Sequence, residues 1–327
     1  MKATKPEVLI TKEFPEEVIR PLKNIANVTQ WNRGKFELMP REEVLKVIGR
    51  MTAIINQAEL KVDQELLEKG HQLKIIANVS IGFDNMNLDL MTKYGVWGSN
   101  TPGFFDYPVV EYAVGGMITI FRRLLEADQF VKNGDWGSFQ PGRWDGDSLE
   151  NKTLGIIGMG NIGQSLALLA RCLGMKVVYF SRNRKDVEYP YLPLNELLEL
   201  ADVVSVHVPY SKNTHELISA PQFSIMKKGA IFVNTSRGKI VHEPDLIKFL
   251  QSGHLSGAIL DVFAEEPRVP EALRTMSNVL LTPHIAGGTR DRRIACYKLA
   301  VKNILDVLNQ KKPKNSLNKI KIKPRVK

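Results

Sequence analysis

One stretch restricts the fold of this chain more than any other: Thr153-Leu-Gly-Ile-Ile-Gly-Met-Gly-Asn-Ile-Gly163, continuing as Gln164-Ser-Leu-Ala-Leu-Leu-Ala-Arg-Cys-Leu173. An apolar run of strand character meets glycines at 158, 160 and 163, and Ile162, Leu166, Leu169 and Leu173 then recur with the spacing of one helix face. A strand, a Gly-x-Gly-x-x-Gly turn and a helix in that order form the site at which a doubly wound sheet receives a dinucleotide. Gly158 permits the tight turn, Gly160 lets a pyrophosphate approach the backbone, and Gly163 lets helix and strand pack closely. Asn161 and Ile162 open the helix at whose N-terminus the phosphates lie. The same turn without a ligand is a packing device, so the flanking elements carry the reading.

The remainder has to supply the sheet. Short β-branched runs at 8–10, 53–55, 74–78 and 96–99 alternate with helical patterns at 16–25, 41–48 and 63–69, which predicts an open parallel sheet covered by helices. Residues 100–106 interrupt the alternation. From Pro108 to 128 the chain reads as one long apolar helix, with Gly115-Gly116 suited to close packing between domains, and 136–148 reads as a loop rich in glycine and aromatics. After the Gly-rich turn, strands are expected at 177–180, 203–206, 230–234, 258–260 and 279–281, with helices at 194–200, 221–226, 243–250 and 291–308.

Charge and composition narrow the class. The chain has 327 residues with the apolar and charged fractions of a globular protein, and no window of eighteen uncharged apolar residues. Glu7, Glu13, Glu16 and Glu17 leave no apolar leader near Met1, so a cytoplasmic protein without a membrane segment is expected. The net charge of +10 is concentrated: Lys311, Lys312, Lys314, Lys319, Lys321, Lys323, Arg325 and Lys327 put +8 on 309–327, leaving +2 on the body. A tail of this kind is a solvated one, and without interleaved aromatics it gives no expectation of nucleic-acid binding. Cys172 and Cys296 lack metal-ligand spacing; both read as core thiols, and no metal site is expected.

The cofactor type is written after the second strand of the nucleotide unit. An acid about twenty residues beyond the first glycine marks a site for an unphosphorylated ribose. Here Ser181-Arg-Asn-Arg-Lys185 occupies that place. Arg182 and Arg184 are bidentate partners for a 2′-phosphate, and the Ser181 hydroxyl is a further donor, so NADP(H) is expected, with NAD(H) as the alternative. A solvated basic loop is the plainer explanation of the same residues.

Three further segments end strands on the side that faces a bound dinucleotide: Asn234-Thr-Ser-Arg-Gly238, Leu260-Asp-Val-Phe-Ala-Glu-Glu-Pro267 and Thr282-Pro-His-Ile-Ala-Gly-Gly288. Reducing a 2-oxo acid requires a cation for the carboxylate, a hydride donor and a proton for the oxygen. Arg237 suits the first task, His284 the last, and Glu266 suits holding the imidazole and raising its pKa. A structural ion pair, a solvated carboxylate and a loop hydrogen bond are the ordinary alternatives for these residues.

The chain resembles the D-isomer-specific 2-hydroxyacid dehydrogenases in Val79-Ser-Ile-Gly-Phe-Asp84, Asn100-Thr-Pro-Gly103, Gly158–Gly163, His207-Val-Pro209, Asn234–Gly238, Asp261–Pro267 and Pro283-His-Ile285, in family order and over nearly the whole chain. The resemblance implies a Rossmann coenzyme domain at 101–289 and a flavodoxin-like catalytic domain from 1–100 plus 290–327, with the active site in the cleft between them. It implies Arg237, Glu266 and His284 as catalytic residues, and the amides of Ser80, Ile81 and Gly82 as substrate carboxylate donors beside Arg237. Asp261 and the backbone around Thr235 would face the nicotinamide carboxamide, His207, Val208 and Pro209 would line the adenosine side, and Thr214 and Gly287 would also touch the cofactor.

The long helix and aromatic loop resemble the family's dimer surface, so a homodimer is expected. Asn161 stands where many members have arginine, and Asp106 where a threonine lies near the pyrophosphate. Gln57 replaces the arginine of phosphoglycerate-oxidising members, against a phosphorylated substrate, and Glu266 replaces the glutamine of the formate-oxidising branch. Glyoxylate, hydroxypyruvate or 2-ketogluconate are the expected substrate classes; the alternative is a corepressor-like, NAD(H)-binding sensor with little turnover.

Overall fold

The computed structural model describes residues 5–34 and 36–320. They form two compact units, one holding the described residues up to Phe105 and those from Thr289 onward, the other Asp106–Gly288.

In the first unit, β1 (Glu7–Ile10), β2 (Asn27–Gln30), β3 (Ala53–Asn56), β4 (Ile75–Asn78) and β5 (Trp97–Ser99) are all parallel in the order β2-β1-β3-β4-β5. This is the flavodoxin-like order, with its reversal between β1 and β3. Alternation along each strand decides which layer a side chain enters. Val8, Ile10, Ile55 and Ala77 pack on Cys296, Tyr297, Ala300 and Ile304 of the helix Arg290–Leu308, while Leu9, Ile54 and Ile76 pack on Val44, Ile48, Leu66 and Met91 on the opposite face. The edge strand β2 carries no sequence signal, because Asn-Val-Thr-Gln has one apolar residue, Val28, which is only partly buried against the core.

The second unit has β6 (Thr153–Ile157), β7 (Lys176–Phe180), β8 (Val203–Val206), β9 (Ala230–Asn234), β10 (Leu255–Leu260) and β11 (Val279–Leu281), parallel in the order β11-β10-β9-β8-β6-β7. The order reverses between β6 and β8, and the Gly-rich turn leaves β6 at that reversal. Phe232 and Ala258 face one apolar layer and Ile231, Val233 and Ile259 the other, so both faces are covered, as a parallel sheet requires.

Four expectations are corrected. The single helix from Pro108 is two, Asp106–Phe121 and Leu124–Lys132, separated where Arg123 turns left-handed (φ 52°). Gly116 serves packing within its own unit: a Cβ there would lie 2.8 Å from Ile259 Cγ2, while Gly115 faces open space. Cys172 is exposed and only Cys296 is a core thiol; neither is paired. The start of the basic tail is built into the first unit, where Asn318 accepts from Gly98 N (3.0 Å) and donates to the Val96 carbonyl (2.9 Å), and Leu317 N donates to the Gly98 carbonyl (2.8 Å). Lys321, Lys323, Arg325 and Lys327 lie outside the described residues. No helix among the described residues is long and apolar enough to cross a membrane, and they contain no metal-binding cluster.

Candidate active site

The glycines of the turn have distinct geometric duties. Gly158 has φ 107°, and a Cβ there would stand 2.7 Å from the His207 carbonyl oxygen, so β8's exit packs directly on the turn. At Gly163 a Cβ would meet the Gly158 carbonyl oxygen at 2.3 Å, which fixes the helix Asn161–Cys172 against β6. Gly160 differs, because a Cβ there would meet nothing within 4 Å. Gln164 is the first residue of this helix whose N–H finds a backbone acceptor, Gly160, which leaves those of Asn161, Ile162 and Gly163 without a backbone acceptor among the described residues. Open space over unpaired N–H groups at the end of a twelve-residue helix fits a pyrophosphate. Asp106 is not aimed there alone: the Asn161 side-chain amide donates to its carboxylate at 3.4 Å.

The loop after β7 is held by Tyr179, whose hydroxyl accepts from Lys185 N (2.9 Å) and donates to the Lys185 carbonyl (3.1 Å). Arg182 and Arg184 are exposed, with Arg184 stacked 4.8 Å above the Tyr191 ring. Ser181 opens this loop. The residue is buried and its hydroxyl donates to the Asn183 carbonyl at 2.5 Å, which shapes the loop. Thr214 likewise spends its hydroxyl locally, accepting from Ser211 N (2.7 Å) and donating to the Pro209 carbonyl (2.8 Å). His207 stands beside Ser205 Oγ at 2.8 Å, and burial pushes its imidazole down to about 4, so it is neutral.

The ends of β9, β10 and β11 converge. Asn234, buried at the end of β9, donates to the Arg237 carbonyl (3.0 Å) and accepts from Ser236 N (3.0 Å), while the Ser236 hydroxyl donates to the Val208 carbonyl. Arg237 Nη1 donates to the Ser236 carbonyl at 2.8 Å. Gly238 lies so close to the 261–267 loop that a Cβ would sit 1.9 Å from the Phe263 carbonyl carbon. Beside it the buried Thr235 hydroxyl has no partner among the described residues, a polar group suited to a ligand amide.

Asp261 braces the loop that follows β11. Its carboxylate is 1% exposed and accepts from Thr282 Oγ1 (2.5 Å), Ile285 N (2.7 Å) and Ala286 N (2.7 Å), clasping the loop that carries His284 and Gly287. Because Thr282 donates to this carboxylate, the Tyr112 hydroxyl 2.6 Å away must donate to Thr282. Tyr112 is the residue that sequence reasoning missed. It lies mid-helix, 170 positions from Thr282, and no local pattern signals such a contact.

His284 sits in the left-handed region at φ 55°, a conformation that costs a non-glycine residue about 1 kcal/mol or more and that concentrates at functional sites. The clasp holds it there, with His284 N donating to the Asp261 carbonyl at 2.9 Å. Its Nδ1 is 2.8 Å from Glu266 Oε2, and Glu266 Oε1 accepts from Phe263 N at 3.1 Å. The imidazole is raised above its ordinary pKa, first by the hydrogen bond to Glu266, with desolvation opposing. At Glu266 burial alone would push the carboxyl up, but the hydrogen bond and charge of His284 outweigh it and the net direction is down. Arg237's charge reaches both groups, holding Glu266 down and opposing the rise at His284. The His284 side chain is 49% exposed within the chain. A half-exposed imidazole whose protonated form is favoured by a carboxylate behind it can deliver a proton.

In the first unit, Ser80, Ile81 and Gly82 form the turn after β4. The carbonyls all have donors: Ser80 from Thr101 N (2.9 Å), Ile81 from Asn100 Nδ2 (2.7 Å), and Gly82 from Ser80 Oγ (2.6 Å) and Asn78 Nδ2 (3.2 Å). Among the described residues the N–H groups of this turn have no acceptor.

A doubly wound unit with an anion-ready glycine turn and a carboxylate-backed histidine defines a dinucleotide-dependent oxidoreductase. Residues 114–286 match the family described as D-isomer specific 2-hydroxyacid dehydrogenase, NAD binding domain. A glyoxylate reductase of Thermococcus litoralis is 38% identical over 96% of this chain and 97% of its own length, and one of Pyrococcus horikoshii is 34% identical over 98% of each. Among solved structures, a Thermus thermophilus protein superposes with TM-score 0.90 at 34% identity, over 95% of this chain and 99% of that one. An NADPH-dependent glyoxylate/hydroxypyruvate reductase from Sinorhizobium meliloti, in complex with NADP and malonate, does so with TM-score 0.83 at 27% identity, over 96% and 97%. The chain belongs to the D-isomer specific 2-hydroxyacid dehydrogenase family. It is a nicotinamide dinucleotide-dependent oxidoreductase of 2-hydroxy acids and their 2-oxo counterparts.

Proposed function

We propose that this protein reduces a small 2-oxo acid of the glyoxylate and hydroxypyruvate class to the D-2-hydroxy acid with NADPH. The observation that carries the reading is the 2.8 Å pair of His284 Nδ1 with Glu266, on a loop clasped into a strained conformation. Bound at the glycine turn, the dinucleotide supplies the hydride. Arg237 takes the substrate carboxylate, and Ser80, Ile81 and Gly82 are further carboxylate donors. Glu266 keeps the Nδ1 proton in place, so that His284 gives its Nε2 proton to the carbonyl oxygen as negative charge develops there. Thr235 offers its backbone and orphaned hydroxyl to the nicotinamide carboxamide. Asp261, Thr282 and Tyr112 keep the His284 loop in position. His207, Val208 and Pro209 line the adenosine side next to Gly158. We also assign a homodimer: Leu124, Leu125, Val131, Trp136 and Phe139, close together in sequence, leave large apolar side chains exposed on one chain.

A panel of 2-oxo acids, followed by NADPH absorbance, tests the reading. Glyoxylate turnover is expected; silence across the panel with tight NADPH binding would instead favour a sensor. Arg182 and Arg184 support NADPH as the donor. Replacing Arg182 by alanine should raise KM for NADPH about tenfold, a value of order 1.4 kcal/mol, and leave that for NADH unchanged. Equal effects on the two would defeat the assignment.

The pH dependence follows from the direction of the His284 shift. Reduction uses protonated His284, so kcat/KM should stay level and then fall as pH rises through the raised value. Glu266→Gln removes the charge that raises it, and the falling limb should move to lower pH. An unmoved limb would show that another group titrates. The pair's contribution to stability has the same sign: it is present below the unfolded pKa of histidine and lost as pH rises through the folded one.

A further inference from the structure

The helix Asn161–Cys172 has no charged side chain in its first turn, Asn161-Ile-Gly-Gln164. A carboxylate reaches that turn from another element. Asp106 opens the helix Asp106–Phe121, which packs against the helix Asn161–Cys172, and its Oδ2 accepts from Asn161 Nδ2 at 3.4 Å. Among the described residues Asn161 is the only hydrogen-bond partner of this carboxylate, and no cation pairs with it.

Asn161 is also the first of the residues whose N–H groups lack a backbone acceptor beside the open space at Gly160. Four bonds of about 1.5 Å separate that backbone nitrogen from its own Nδ2, so the Asp106 carboxylate lies within roughly 8 Å of the N–H groups assigned to the pyrophosphate. This is about one screening length at physiological salt, too short for solvent ions to hide one charge from another. The positive end of a helix favours a carboxylate for the same reason that it favours a phosphate. Two anions are thereby directed to one small volume, and only one of them belongs to the coenzyme.

We propose that Asp106 sets the affinity for the coenzyme: its fixed negative charge competes with the pyrophosphate for the N-terminus of the helix Asn161–Cys172. This rests on the dinucleotide reading of the glycine turn. The repulsion acts on the pyrophosphate, which NADPH and NADH share, so it weakens both by the same factor. Coulomb's law at about 8 Å, in the effective dielectric of a protein surface, puts that factor near fivefold. Arg182 and Arg184 act in the opposite sense and on the phosphorylated dinucleotide alone, which makes the two contributions separable. A weaker phosphate seat acts mainly on the rate of departure, and a reductase has to release its oxidised coenzyme in every turnover.

The test is calorimetric titration with NADPH and with NADH of the wild-type protein, Asp106→Asn and Asp106→Glu, so that turnover plays no part in the readout. Asparagine keeps an oxygen for the Asn161 amide and removes the charge, and both Kd values should fall about fivefold and by the same factor. Asp106→Glu keeps the charge and should bind like the wild type. Unchanged or weaker binding in Asp106→Asn, or a gain confined to one dinucleotide, overturns the inference and leaves the coenzyme site in place. Equal tightening in Asp106→Glu overturns it too, because shape and not charge would then set the affinity. No binding of either dinucleotide to any of the three proteins overturns the glycine-turn reading and this inference with it.

Discussion

Replacing His284 by glutamine is expected to lower kcat for 2-oxo acid reduction by about a thousandfold, the range for removing a positioned general acid. Glutamine keeps a hydrogen-bonding group near Glu266 but has no proton that titrates in the working range, so the developing alkoxide is left without its donor. NADPH affinity should hardly change, because the phosphates are assigned to the glycine turn and the 2′-phosphate to Arg182 and Arg184. Single-turnover kinetics with a separate NADPH titration would check both halves. A kcat within a few-fold of the wild type would remove His284 from the proton role, whatever the state of the cofactor.

The second large effect is steric. A methyl at Gly238 would sit 1.9 Å from the Phe263 carbonyl carbon and 2.4 Å from Ala264 N, both backbone atoms that cannot swing aside. Gly238→Ala must therefore separate the turn carrying Arg237 from the loop carrying Glu266. We expect a loss of about 1–3 kcal/mol or more from overpacking, read as a thermal midpoint lowered by roughly 2–4 °C per kcal/mol. We also expect kcat/KM to fall by about a hundredfold, the cost of misplacing a positioning residue by an ångström. Gly115→Ala, where a Cβ meets open space, is the matched control and should leave the midpoint nearly unchanged. A folded, fully active Gly238→Ala enzyme would show that the Arg237 and Glu266 loops need not touch.

Much of the fold was legible because its signals are local. Buried parallel strands read as β-branched runs, and nine of the observed strands overlap runs that the sequence marks: β1, β3, β4, β5, β7, β8, β9, β10 and β11. With β6 marked by the glycine turn, only the polar edge strand β2 carried no such signal. The helix break at Arg123 was hidden for the opposite reason. The apolar pattern continues across it, and a left-handed arginine leaves no mark in composition. Polar residues at strand ends pointed to Arg237, Glu266 and His284, since the topology of a doubly wound sheet sends such ends to one edge. The local hydrogen bond of the Ser181 hydroxyl to the Asn183 carbonyl was not legible, because a serine's residue type does not say which carbonyl its proton meets.

By itself the sequence determined the two α/β units, the glycine turn and the candidate proton donor, all encoded by spacing within a few residues. Only the tertiary structure decided that Asp261 clasps the His284 loop, that Tyr112 stands behind Thr282, and that Asp106 meets Asn161 at the glycine turn. Each of these depends on groups brought together from distant strand ends, and the hydrogen bond that a polar side chain makes is settled by what packs against it, not by its neighbours in the chain.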